Sequence, residues 1–117
     1  MQWAVTHRDE DKLIGVCNWH KWDTSDRHVD IGYHFLRELW GRGYATEAAH
    51  ATIQWCFDNL DVHRIAADCT DGNIASERVL LKCGFTFEGI SRESCWEHER
   101  FVSLKLFGLL RSEYERR

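Results

Sequence analysis

The period of the apolar residues first changes in this chain at a pair of glycines. From His28 to Phe35, in HVDIGYHF, polar and apolar residues alternate as they do on a strand with one buried face. From Tyr44 to Leu60 the apolar positions are Ala45, Ala48, Ala49, Thr52, Ile53, Cys56, Phe57 and Leu60, the three-to-four spacing of a helical stripe. Gly41 and Gly43 stand between the two segments, and Glu47 in the first helical turn complements the positive end of the helix dipole. A chain that runs from strand through a glycine turn into a helix needs a mixed architecture, because each element must bury its own kind of face against the other.

The segments on either side fill in that architecture. Gln2–His7, Leu13–Trp22 and His28–Phe35 read as three strands joined by the charged turn Arg8–Lys12 and the polar turn Asp23–Asp26, an antiparallel meander. After the helix, Val62–Cys69 returns to strand character. Asn73 is placed to cap a second helix over Ile74–Cys83, and Gly84 is placed to close it in a left-handed conformation. Phe85–Ile90 and Arg100–Leu109 read as a final strand pair around a polar hairpin loop. The expected class is α/β (α+β), a mixed and mostly antiparallel sheet flanked by helices, as a single domain over residues 1–117. There is no proline, repeat or Ser/Gly-rich linker to mark a boundary.

Composition narrows the function classes. A net charge of −4 carries no broad basic footprint, which argues against nucleic acid as partner, and a mildly acidic surface suits a cationic amine. No apolar run approaches the roughly 20 residues that span a bilayer, and the N-terminus lacks the layout of a secretory signal. The five cysteines, Cys17, Cys56, Cys69, Cys83 and Cys95, are odd in number and fall mostly in apolar segments. Reduced, buried thiols in a cytoplasm are expected rather than a disulfide framework. Without CxxC or HExxH, and with scattered histidines, no metal site is expected.

The glycine turn is where chemistry is expected. Gly41 and Gly43 let backbone approach a ligand, and the N–H groups from Arg42 through Tyr44, Ala45 and Thr46 would point outward at a helix N-terminus, a setting that favours anionic phosphate. Arg42 adds a charge-assisted donor. The third glycine of a dinucleotide fingerprint and the lysine of a P-loop are both missing, so on the residues alone a plain tight turn stays open.

With these motifs in hand, the chain resembles the GNAT acetyltransferases. Their pyrophosphate loop reads Gln/Arg-x-x-Gly-x-Gly/Ala. Gly43 and Ala45 match its last two defined positions, and Trp40 replaces the leading residue. The branch similar to RimJ/RimL often has a WGxGYATEA form there, as Trp40 through Ala48 do. Asp30-Ile31-Gly32-Tyr33, Leu60-x-x-His63-Arg64-Ile65 and Asn73-x-x-Ser76-x-x-Val79-Leu80-x-Lys82-x-Gly84-Phe85 agree in order. Relatives usually carry a further strand and two helices before the first strand read here. The resemblance therefore implies either a chain shortened at an internal Met or a compact variant completed by a second copy, and a homodimer is expected.

The resemblance implies the GNAT fold and transfer of the acetyl group of acetyl-CoA, the cosubstrate, to a primary amine on a protein N-terminus or a small molecule. It implies that backbone groups of Tyr33, His34 and Phe35 pair with the pantetheine arm, that Gly41, Arg42, Gly43, Tyr44, Ala45 and Thr46 bind the pyrophosphate, and that Asn73 meets the pantetheine amides besides capping its helix. Ser76 takes the place of an acid that protonates the leaving thiolate, since the position where many relatives have a tyrosine is Leu80. Asp68, late on its strand, is the candidate general base, with Asp30, Glu93, Glu97, His98 and Glu99 as rivals. Ser103 stands where RimJ/RimL relatives often have an aspartate, and Trp19 and Trp22 are candidates to line an acceptor pocket, against plain packing. The alternative is a non-catalytic acyl-CoA-binding or regulatory module of the same fold.

Overall fold

The computed structural model describes residues 1–6, 13–35 and 43–116. In chain order the elements are β1 (Gln2–Thr6), β2 (Leu13–Asp23), β3 (His28–Phe35), α1 (Tyr44–Asn59), β4 (Arg64–Thr70), α2 (Ile74–Lys82), β5 (Thr86–Glu97), β6 (Arg100–Leu110) and α3 (Arg111–Glu115). The described strands form one sheet in the order β1-β2-β3-β4-β6-β5. Its ladders are antiparallel except for β3 with β4.

The helical stripe read from the sequence is the buried face of α1. Ala49, Thr52, Ile53, Cys56 and Phe57 are buried along it, and Leu60 continues the line at the C-cap. Opposite them, alternate residues of the strands point the same way: Val29 and Ile31 from β3, Ile65, Ala67 and Cys69 from β4, Phe107 and Leu109 from β6. Leu80 of α2 joins the same cluster, so both helices cover one face of the sheet. Each large side chain removed from water there contributes about 1.5–3 kcal/mol before the entropy of ordering the chain is set against it. The intervening residues Arg64, Ala66, Asp68 and Thr70 consequently point to the other face.

Most boundaries agree with the sequence reading, and two points differ. The polar hairpin loop expected between Ile90 and Arg100 is mainly strand: β5 runs to Glu97 with a register shift between Ser91 and Cys95, and the turn shrinks to His98 and Glu99, both at positive φ. Polarity hid this strand because β5 is the sheet's outer edge and most of its residues are exposed. Helix α3, too short to show a period, had no signal. Of the two roles open to Trp19 and Trp22, the ring contacts observed are those of packing. Trp19 stacks on Trp55 of α1 at 5.9 Å and meets Trp22 edge-on at 5.8 Å, and Trp3 also packs on Trp55 at 5.2 Å, an aromatic cluster that seals α1 onto β1 and β2.

On the face away from the helices, Arg64 and Glu88 form a two-pronged ion pair across β6. Gly108 lies beneath it, where a Cβ would come within 2.6 Å of the Glu88 carboxylate. The Arg64 guanidinium holds the Glu88 carboxyl below its ordinary 4.5. A carboxyl whose acidity is raised by folding stabilises the native state above its unfolded pKa, and that stabilisation disappears as pH falls through the depressed folded value. Urea midpoints should therefore fall more steeply below pH 4.5 in the unaltered chain than in Glu88→Gln. The difference should stay under about 1 kcal/mol, because both side chains are about one-third exposed. Parallel pH profiles would show that the pair adds nothing.

Candidate functional site

The sheet is split. Strands β3 and β4 are paired only at His28–Arg64, Val29–Ile65 and Asp30–Ala66, yet β3 continues to Phe35 and β4 to Thr70. Over those extra residues β2 stays with β3, pairing Cys17 with Tyr33, Val16 with His34 and Gly15 with Phe35. Likewise β6 stays with β4 as far as Thr70. The sheet thus opens into a wedge between two intact halves, and the facing edges of Ile31–Phe35 and Ala67–Thr70 have no strand partner in each other. Backbone donors and acceptors on such edges suit an extended chain carrying amide groups, which can add itself as a strand.

Helix α1 begins close in sequence to the open end of the wedge. Gly43 is its N-cap, at φ 82° and ψ −3°, a left-handed conformation that costs other residues about 1–2 kcal/mol. Its carbonyl accepts the Glu47 N–H at 3.0 Å. Among the described residues no side chain caps this end, and a Cβ built on Gly43 would meet nothing within 4 Å. The helix offers no internal acceptor to the N–H groups of its first turn, which includes Ala45 and Thr46. The expected donors Gly41 and Arg42 lie outside the described residues.

Helix α2 starts on the other side of the wedge. Asn73 is its N-cap as expected. Its Oδ1 accepts the Ser76 N–H at 3.2 Å, and its own N–H donates to the Thr70 carbonyl at 2.9 Å, which ties the cap to the last residue of β4. Gly84 follows the helix at φ 91°, the left-handed closure expected of it. Ser76 is half-buried in the first turn, and its carbonyl accepts the Tyr33 hydroxyl at 3.2 Å. Tyr33, Asn73 and Ser76 are thus brought together. Leu80, one turn on, is wholly buried in the core.

Asp68 is exposed on the opposite face from α2, beside the unpaired edge of β4. Of its rivals, Glu97 reaches the last residue of that strand. Thr70 Oγ1 donates to Glu97 Oε2 at 3.4 Å, with the Cys95 thiol 3.9 Å and His98 Nε2 3.7 Å from the same carboxylate. Asp30 instead feels Arg64. The sequence could not show the Thr70–Glu97 contact, since 27 residues separate the two. Ser103 turns out to be structural: its Oγ accepts the Glu93 N–H at 3.0 Å at the β5 bulge, and its carbonyl accepts the Asp71 N–H at 2.9 Å. A hollow of about 680 Å³ lies against Arg92, Glu93 and Ser103, next to this β4–α2 turn.

Four of the five thiols are withdrawn from solvent. Cys17, Cys56, Cys69 and Cys83 are buried, and burial pushes Cys56 up to about 12 and raises Cys17 and Cys69. No helix of the described residues is long and apolar enough to cross a membrane.

A family model described as an acetyltransferase (GNAT) domain matches residues 1–86. Among curated relatives, the uncharacterized N-acetyltransferase YoaA of Bacillus subtilis is 34% identical over 98 residues, 84% of this chain and 55% of that protein. The putative ribosomal N-acetyltransferase YdaF of the same organism is 30% identical, over 91% of this chain and 58% of its own length. A crystal structure of a GNAT-family acetyltransferase from Bacillus anthracis superposes with a TM-score of 0.85 at 29% identity, covering 96% of this chain and 67% of that one. The chain thus spans little more than half the length of the two curated relatives.

Proposed function

Because this chain belongs to the GNAT acetyltransferase family, we propose that it transfers the acetyl group of acetyl-CoA directly to a primary amine. The observation that carries the proposal is the wedge: an unpaired β3 edge leads toward a helix N-terminus with open space at Gly43. A pantetheine arm has the amides for the first, and a diphosphate has the charge for the second. Tyr33, His34 and Phe35 would take the arm through their backbone, and Gly41 through Thr46 the pyrophosphate. Asn73, whose Oδ1 is engaged in its cap, keeps its amide NH₂ to donate to a pantetheine carbonyl.

Bound acetyl-CoA supplies a thioester whose carbonyl carbon accepts the amine nitrogen and whose sulfur leaves. The chain's own part is to orient, to stabilise charge and to move two protons. A backbone N–H near Phe35 polarises the carbonyl oxygen. Asp68, directly or through water, takes the proton the amine must lose, and Ser76 donates one to the sulfur. The acceptor, a protein N-terminus or a small-molecule amine, is a cation before it reacts, which suits Asp68 and Glu97 on one face. The test is release of free thiol from acetyl-CoA across a panel of peptides and small amines. Turnover on at least one acceptor is expected. A coenzyme A complex with no turnover on any would instead favour the non-catalytic acyl-CoA-binding module.

We also propose a homodimer built on the β5 edge. That strand is 12 residues long and has no outer neighbour among the described residues. Trp96 and Phe101 meet edge-on at its hairpin end while 63% and 62% exposed, and Phe87 and Ile90 are also exposed. Light scattering at micromolar concentration should give twice the chain mass, and half that mass for Trp96→Glu/Phe101→Glu. A monomeric parent would end this proposal. The free thiols suit a reducing cytoplasm, which cell fractionation would check.

A further inference from the structure

We infer that Tyr33 is a positioning residue of the wedge: its hydroxyl, bonded to the Ser76 carbonyl, sets how far β3 stands from the first turn of α2. The inference rests on the wedge being the acetyl-CoA site, and it assigns to the Tyr33 side chain a task separate from that of its backbone.

The problem such a residue solves is visible in the register. Beyond Asp30 and Ala66 no strand hydrogen bond holds the two halves of the sheet at a set distance. An extended ligand pairing with one edge while reaching groups on the other needs that distance held to within a few tenths of an ångström. Among the described residues, the Tyr33 hydroxyl is the one side-chain donor of β3 that reaches α2. Its ring starts on the helix-covered side of β3, with Val29 and Ile31, and packs against the core. From there it crosses to Ser76 behind the unpaired part of the sheet. Burial pushes the phenol well above its ordinary range, with the Cys69, Cys83 and Cys17 thiols adding to the same effect, so it remains a donor wherever the protein is folded.

The point it grips matters. Ser76 is held at both its peptide groups, the N–H by the Asn73 side chain and the carbonyl by Tyr33. One strut from β3 therefore fixes the cap that faces the wedge and the residue proposed to supply the acid. A longer separation would leave the donors on both sides intact but no longer able to engage one ligand together.

A purely structural tyrosine would cost stability and nothing else, so the test pairs Tyr33→Phe with a control that weakens the fold elsewhere. Arg111 donates to the Val62 and Phe57 carbonyls at 2.8 Å each, at the closed end of the wedge where Leu110 pairs with Arg64. Arg111→Ala should lower Tm at least as much as Tyr33→Phe. Calorimetry with coenzyme A, well below either Tm, should show binding weakened about tenfold in Tyr33→Phe, as for a loss of about 1.4 kcal/mol, and unchanged in Arg111→Ala. Unchanged binding in Tyr33→Phe, or equal weakening in Arg111→Ala, overturns the positioning role while leaving the site assignment standing. No heat from the unaltered chain overturns both.

Discussion

Gly43→Glu should remove the rise in Tm that coenzyme A is expected to give the unaltered chain. At a hundred times Kd a ligand stabilises the native state by about 2.7 kcal/mol, which for a domain of this size is a rise of about 10 °C. Residue 43 caps α1, its Cβ position is open, and the N–H groups that follow are those assigned to the diphosphate. A carboxylate there meets phosphate charge at a distance where each pair of like charges costs about 1 kcal/mol in water and about 4 kcal/mol at an effective dielectric of 20. Even a hundredfold loss of affinity would cut the stabilisation at that concentration to about 0.4 kcal/mol. The substitution also strains the backbone, since φ is 82°, so the parent Tm falls as well. The informative quantity is thus the difference with and without ligand. Gly43→Asn is the control, because asparagine tolerates the left-handed region and brings no charge, and it should keep most of the rise. A full rise in Gly43→Glu would take this turn out of the site.

The second large effect is on turnover. Asp68→Asn should lower kcat by about 10²-fold or more at neutral pH, the usual contribution of a well-placed general base. A primary amine of pKa about 10 is neutral in only about one molecule in a thousand at pH 7, so removal of its proton is a real barrier there. Raising the pH to 10 supplies neutral amine from solution, and the defect should shrink accordingly. Asp68 is exposed on the face away from α2 and takes no part in the core, so Tm and coenzyme A binding should hold. Glu97→Gln is measured alongside, because Thr70 steers that carboxylate toward the end of the same strand. A larger, pH-dependent loss in Glu97→Gln than in Asp68→Asn would move the base role to Glu97.

The two carboxylates illustrate what a sequence conceals. Asp68 was legible as a candidate from its place on a strand just before a capped helix. Glu97 was only one of several charges in what read as a hairpin loop, because edge position and exposure erase the alternation that betrays a half-buried strand. Asn73 and Gly84 were legible because capping is local chemistry, decided within one turn of chain. Trp19 and Trp22 stayed open between pocket wall and packing for the opposite reason. Aromatic strand residues suit a pocket wall or a core equally well, and the α1 residue that decides between them, Trp55, lies far along the chain.

From its residues alone this chain declared most of its elements, its family resemblance and the glycine turn, since periodicity, capping and backbone freedom all act over a few neighbouring positions. Tertiary structure alone decided that β3 and β4 part after three paired residues, and that Tyr33 reaches Ser76 across the gap. Pairing and splaying of strands depend on contacts between segments more than thirty positions apart, and no local pattern encodes where such a ladder stops.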